Sequence, residues 1–125
     1  AAQSGEWLRG TGPEADIVVS MDSVIEKKLD ALDTLESQFY EGGALGSAAL
    51  IPADPAKQRD RRRQVREGFA NRNRQVADRY RSTLAEWYGK DQADKIKFAE
   101  AFEICEYGRR PDKKELARLF PFFGE

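Results

Sequence analysis

The chain has 125 residues, of which 40% are apolar and 34% charged, with a formal net charge of −1. Such a length holds one domain or part of one, and no stretch approaches the roughly 20 consecutive apolar residues of a membrane span. The near-zero charge excludes a global field that would gather nucleic acid or acidic membrane.

The first ten residues, AAQSGEWLRG, show neither a basic n-region nor an apolar h-region, so no signal peptide is expected. The missing initiator Met favours a cut or excised start. Residues 1–15 read as a loop punctuated by Gly5, Gly10, Gly12 and Pro13, with Trp7 and Leu8 expected to anchor it on a neighbouring surface. A strand is expected over 16–19, since Ile17, Val18 and Val19 are β-branched and apolar. So short a strand should join a larger sheet.

A helix is expected over 20–40. Ser23 and Glu26 have capping-box spacing, and Met21, Ile25, Leu29, Leu32, Leu35 and Phe39 recur at intervals of three and four to make one apolar stripe. Gly42 and Gly43 stop it. Residues 41–53 form a small-residue loop, read as a compact connection rather than a lid over a site.

Asp54 followed by Pro55 is a strong helix start, and the helical pattern then runs over 54–88 to the stop at Gly89. Val65, Phe69, Val76, Tyr80, Leu84 and Trp87 share a face, while Gly68 and Asn71 weaken the middle. Unbroken, such a helix spans about 51 Å, whereas a compact chain of this length is only about 36 Å across, so it would overhang the globule. Residues 57–81 carry Lys57 and nine arginines against Asp60, Glu67 and Asp78. That face is read as solvated and paired with the acidic first helix, because only Phe69 and Tyr80 interleave it and both lie on the apolar stripe. Binding to nucleic acid is not expected.

Residues 95–104 alternate like a strand at Ile96, Phe98, Phe102 and Ile104, yet Ala99, Glu100 and Ala101 also suit a helix. Asp112 with Glu115 opens a short helix over 112–120, which Pro121 ends. Phe120, Phe122 and Phe123 are expected to dock on a core or an interface. Without association, the apolar faces of Val19, Trp87 and Phe122 should stay partly uncovered.

Histidine is absent and cysteine occurs once, at Cys105. A Ser-His-Asp or Cys-His arrangement is therefore impossible, and the usual Cys/His zinc sites cannot be assembled. Cys105 is read as a buried, inert thiol, compatible with a reducing compartment. No catalytic residue and no metal ligand is assigned. The candidate site residues are Gln38, Tyr40 and Glu100. Each also has a structural reading: Gln38 as a helix C-cap, Tyr40 as packing, and Glu100 as the salt-bridge partner of a cation such as Arg.

Two segments resemble the PIG-L/LmbE family of zinc-dependent de-N-acetylases. The first is Asp16-Ile17-Val18-Val19-Ser20, followed by Lys28, Ala31, Leu32 and Ser37-Gln38. The second is Lys97-Phe98-Ala99-Glu100-Ala101-Phe102, which is similar to the family's K-Y-A-E-A-F segment. Both match C-terminal features of the family. The early H-P-D-D-x-E and the later H-x-x-H are absent, and Glu36 stands before Ser37-Gln38 where family members carry a His near their Gln. The resemblance implies an α/β Rossmann-like parent, of which this chain is a helix-rich C-terminal portion with one or two short strands. It tips 95–104 toward an extended segment around Phe98–Phe102. It implies hydrolysis of an N-acetyl amide on an amino sugar or conjugate, with Zn held by the parent, and a cytoplasmic protein. The expected partner is the missing N-terminal catalytic half, or a second copy. The alternative is a non-catalytic helical interaction module whose Arg-rich face meets nucleic acid or an acidic protein.

Overall fold

A computed structural model describes residues 15–105 and 107–124; the expected loop with Trp7 and Leu8 therefore lies outside the described residues, apart from Ala15. The chain is helix-rich, with one two-stranded antiparallel sheet. Strand β1 spans Ile17–Ser20 and pairs with β2, Ala99–Phe102, in the register Ile17 opposite Phe102 and Ser20 opposite Ala99. The ambiguous 95–104 segment is thus extended at its centre. Beyond these two strands the described residues add no third. At the outer edge of β1 the Ser20 N–H donates to the Tyr88 hydroxyl at 3.0 Å, and Trp87 Nε1 donates to the Asp16 carbonyl at 3.2 Å. Side chains there take the place of the larger sheet expected from the sequence.

Alternation sends the two faces of this sheet to different layers. Val18, Ala99 and Ala101 join Ala77, Leu84, Ala93 and Ile96 in one core, and Leu84 and Val18 are completely out of water. Ile17 and Val19 join Leu116, Phe123, Trp87 and Ile104 in a second. The Phe-rich tail docks unequally: Phe123 stacks on Trp87 with ring centroids 4.6 Å apart, whereas Phe122 stays 39% exposed. Val19 and Trp87 are half-buried.

The helix expected over 20–40 is two helices, α1 (Ile25–Asp33) and α2 (Glu36–Phe39). It starts late, with no side-chain cap from Ser23. It breaks early because the Thr34 hydroxyl donates to the Ala31 carbonyl at 2.7 Å and Leu35 leaves helical geometry at φ −90°, ψ 63°. Leu35, on the expected stripe, is consequently exposed, while Ile25 and Leu29 are buried.

The helix expected over 54–88 is also two, α3 (Pro55–Arg79) and α4 (Arg81–Tyr88). Asp54 caps α3 by accepting the Ala56 N–H at 2.7 Å. The break comes at Tyr80 rather than at Gly68 or Asn71. There Arg81 donates to the carbonyls of Ala93 and Ile96, both at 2.6 Å, which turns α4 so that Leu84 enters the core. The 25 residues of α3 rise about 38 Å, against about 51 Å for the expected unbroken helix. Gly89, at φ +79°, reverses the chain into α5 (Lys90–Ala93). The capping box at Asp112 and Glu115 opens α6 (Lys113–Leu119).

The 41–53 connection holds two short 3-10 turns and is less tucked in than expected, with Leu45 fully exposed. Gly46 is obligatory there, since a Cβ would lie 1.6 Å from the Glu41 carbonyl oxygen. None of the described helices is long and apolar enough to cross a membrane.

Candidate functional site

Tyr40 ends α2 and is 3% exposed, so its ring packs as expected; its hydroxyl is the polar part that burial must satisfy. The hydroxyl donates to Asp33 Oδ1 at the end of α1. Arg62 of α3 reaches the same oxygen at 3.1 Å and lies over the Tyr40 ring at 4.5 Å. The neighbouring Arg61 donates to the Tyr40 carbonyl at 2.8 Å. The hydroxyl and guanidinium hold the Asp33 carboxyl below its usual range. Burial, then the facing carboxylate, pushes the Tyr40 phenol up. Carboxylate, phenol and guanidinium satisfy one another, and no nucleophile or open ligand position stands among them. The arrangement is a latch joining α1, α2 and α3. Arg61 Nε, buried beside it, is the sole buried side-chain polar atom among the described residues without a hydrogen bond.

Gln38 does not cap its helix. It lies within α2, exposed, and Tyr40, two residues further on, holds the C-cap position. Glu100 belongs to a separate network, paired with Lys28 of α1 and not with an arginine. The three candidate residues therefore share no common site. Cys105 is exposed rather than buried, since the chain leaves β2 three residues before it.

A clamp between the two motif segments was not visible to spacing. The Asp16 carboxylate accepts the Ile104 N–H at 2.8 Å, and beyond the other end of β1 the Asp22 carboxylate accepts the N–H groups of Lys97 and Phe98 at 3.0 and 2.7 Å. Buried Asn73 donates to the Ala99 carbonyl at 2.9 Å and ties α3 to β2. A polar residue interrupting the apolar face of α3 was the only available sign.

The Arg-rich face is largely occupied from within. Arg66 pairs with Glu26 and Asp30 at 2.5 and 2.8 Å, and Arg62 with Asp33 and Glu36. Arg72, Arg74 and Arg79 lie over the rings of Phe69, Phe98 and Tyr80. Among the described residues no group of three or more His, Cys, Asp or Glu could hold a metal ion. These residues do not fit the zinc of the resembled family. Comparison with models of protein families, with curated proteins and with solved structures finds no match to this chain.

Proposed function

We propose that this chain is the C-terminal part of a hydrolase of PIG-L/LmbE type, an α/β Rossmann-like cytoplasmic enzyme that removes N-acetyl groups from amino sugars or their conjugates. The zinc ligands and the catalytic base belong to an N-terminal half that this chain lacks. The chain itself is an inactive scaffold in which Tyr40 packs and Glu100 acts in positioning, while Gln38 is an exposed helix residue. A single observation supports this reading most. The two segments that carry the family resemblance, far apart in sequence, are the two strands that pair, and Asp16 and Asp22 stitch them together at both ends. Two unrelated chance matches have no reason to be neighbours. The alternative of an Arg-rich binding module is weaker, because those arginines are engaged by α1 and by aromatic rings.

The test is the coding sequence upstream of Ala1. An H-P-D-D segment there, and zinc-dependent release of acetate from N-acetylglucosamine conjugates by the whole product, is the expected result. A reading frame without that segment, or deacetylation by the 125-residue chain alone, overturns the proposal.

A further inference from the structure

A cleft of about 550 Å³ opens beside the outer edge of β1, within the roughly 300–1,000 Å³ range of small-molecule sites. Its apolar walls are Val19, Met21, Val24, Ile96 and Phe122. Val24 and Phe122 keep more than a third of their surface in water. Six of its eleven lining residues are polar: Ser20, Asp22, Ser23, Tyr88, Gln92 and Lys95. The Tyr88 hydroxyl accepts the Ser20 N–H, which leaves its own proton to be donated, and burial pushes that phenol up, so the proton is retained. The Lys95 ammonium makes no ion pair or hydrogen bond among the described residues, and its chain neighbour Asp94 pairs with Lys90 at 2.9 Å. The carboxylate on the wall, Asp22, is engaged by the Lys97 and Phe98 N–H groups. The Lys95 ammonium and the Tyr88 hydroxyl are thus two donors beside an apolar surface, and such a pair matches an acceptor with an apolar body.

We propose that this cleft binds a small amphiphilic carboxylate, its carboxylate against Lys95 and the Tyr88 hydroxyl and its hydrocarbon body along Val19, Met21, Val24, Ile96 and Phe122. The site is made wholly by this chain, so it stands whether or not the deacetylase reading holds.

The test is an NMR titration of the 125-residue chain with sodium octanoate, following the backbone N–H signals of Ser20, Met21 and Lys95. Saturable shifts with a dissociation constant on the order of 0.1–1 mM are expected for a ligand of this size. Lys95→Met should weaken octanoate about tenfold and leave 1-octanol unchanged, as expected for loss of a charge-assisted contact. Lys95 is exposed, so this variant keeps the fold. Tyr88→Phe should weaken octanoate about threefold. Absence of saturable shifts, equal binding of octyltrimethylammonium, or unchanged octanoate affinity in Lys95→Met would overturn the proposal.

Discussion

Around Leu84, the sheet, α4, α5 and the end of α3 close over Val18, Ala77, Ala93 and Ala99, all of them wholly out of water. Around Arg66, α1 and the first half of α3 meet through Glu26 and Asp30, whose side chains are 75% and 71% exposed. The first contact removes apolar surface, and a fully buried leucine contributes about 1.5–3 kcal/mol. The second holds charges near solvent, where each pair contributes about 0–1 kcal/mol. What keeps α1 in place is therefore less its ion pairs than the apolar residues beneath them. Leu29, Leu32, Phe39, Val65 and Phe69 line that seam, and Phe39 meets Phe69 edge-on at 4.7 Å. The ion pairs and the Tyr40 latch set the angle at which α1 lies on α3. The difference teaches that the densest charge on this chain and its main source of stability are in different places.

The sharpest way to break that comparison is to truncate one leucine at each end. Leu84→Ala should cost about 3 kcal/mol, within the range for a fully buried leucine, measured by urea denaturation. Leu35→Ala, at a half-exposed position beside the latch, should stay within about 0.5 kcal/mol. Similar costs at both positions would mean that the two ends are not held differently. Next in size is Asn73→Ala. It strips the Ala99 carbonyl of its buried partner and should cost about 1–3 kcal/mol in the same assay. A loss below about 0.5 kcal/mol would mean that α3 is not tied to β2 through this bond.

Arg66→Met probes the other end. It removes both ion pairs to α1 yet retains much of the arginine's packing, and should cost no more than about 1 kcal/mol. The cost should shrink further in 0.5 M NaCl, where the Debye length is only about 4–5 Å. A loss above 2 kcal/mol that salt does not touch would show that the seam depends on its charges after all.

Much of this contrast was legible in the sequence, and the parts that were not share a cause. Asp54 with Pro55, Asp112 with Glu115, and Gly89 are local devices, each satisfied by residues within a few positions, and each marks the boundary it announced. The acidic face of the first helix and the arginines of α3 were complementary in composition, and they pair. The break at Tyr80 has no Gly or Pro to announce it. It is imposed from a distance by the Ala93 and Ile96 carbonyls that receive Arg81, and by the position of Leu84 in the core. The latch was half visible. Tyr40 was a candidate, but its partners Asp33 and Arg62 come from separate helices, and no periodicity relates them. The strand clamp at Asp16 and Asp22 works across more than seventy residues of chain, so only the three-dimensional pairing of β1 with β2 displays it.

Acid gives the smallest effect, and it should act on the ionic contacts while sparing the core. Glu115 receives Arg109 on both carboxylate oxygens at 2.8 Å and also accepts the Asp112 N–H, which together lower its pKa from 4.5 to about 2. A carboxyl depressed in the folded state adds stability that is complete above its ordinary pKa and is lost as pH falls toward the folded value. The start of α6 should therefore loosen between about pH 4.5 and 2. The latch should weaken below the ordinary carboxylate range for the same reason, since Asp33 is lowered too. Amide exchange measured down to pH 2.5 should show falling protection at Glu115 and Leu116 while the amide of Leu84 keeps its own. Glu115→Gln should start with weaker protection at α6 and lose the pH response there. If the Leu84 amide opens in step with α6 as the acid is added, the two regions are one cooperative unit, and the separation between a charged seam and an apolar core does not survive.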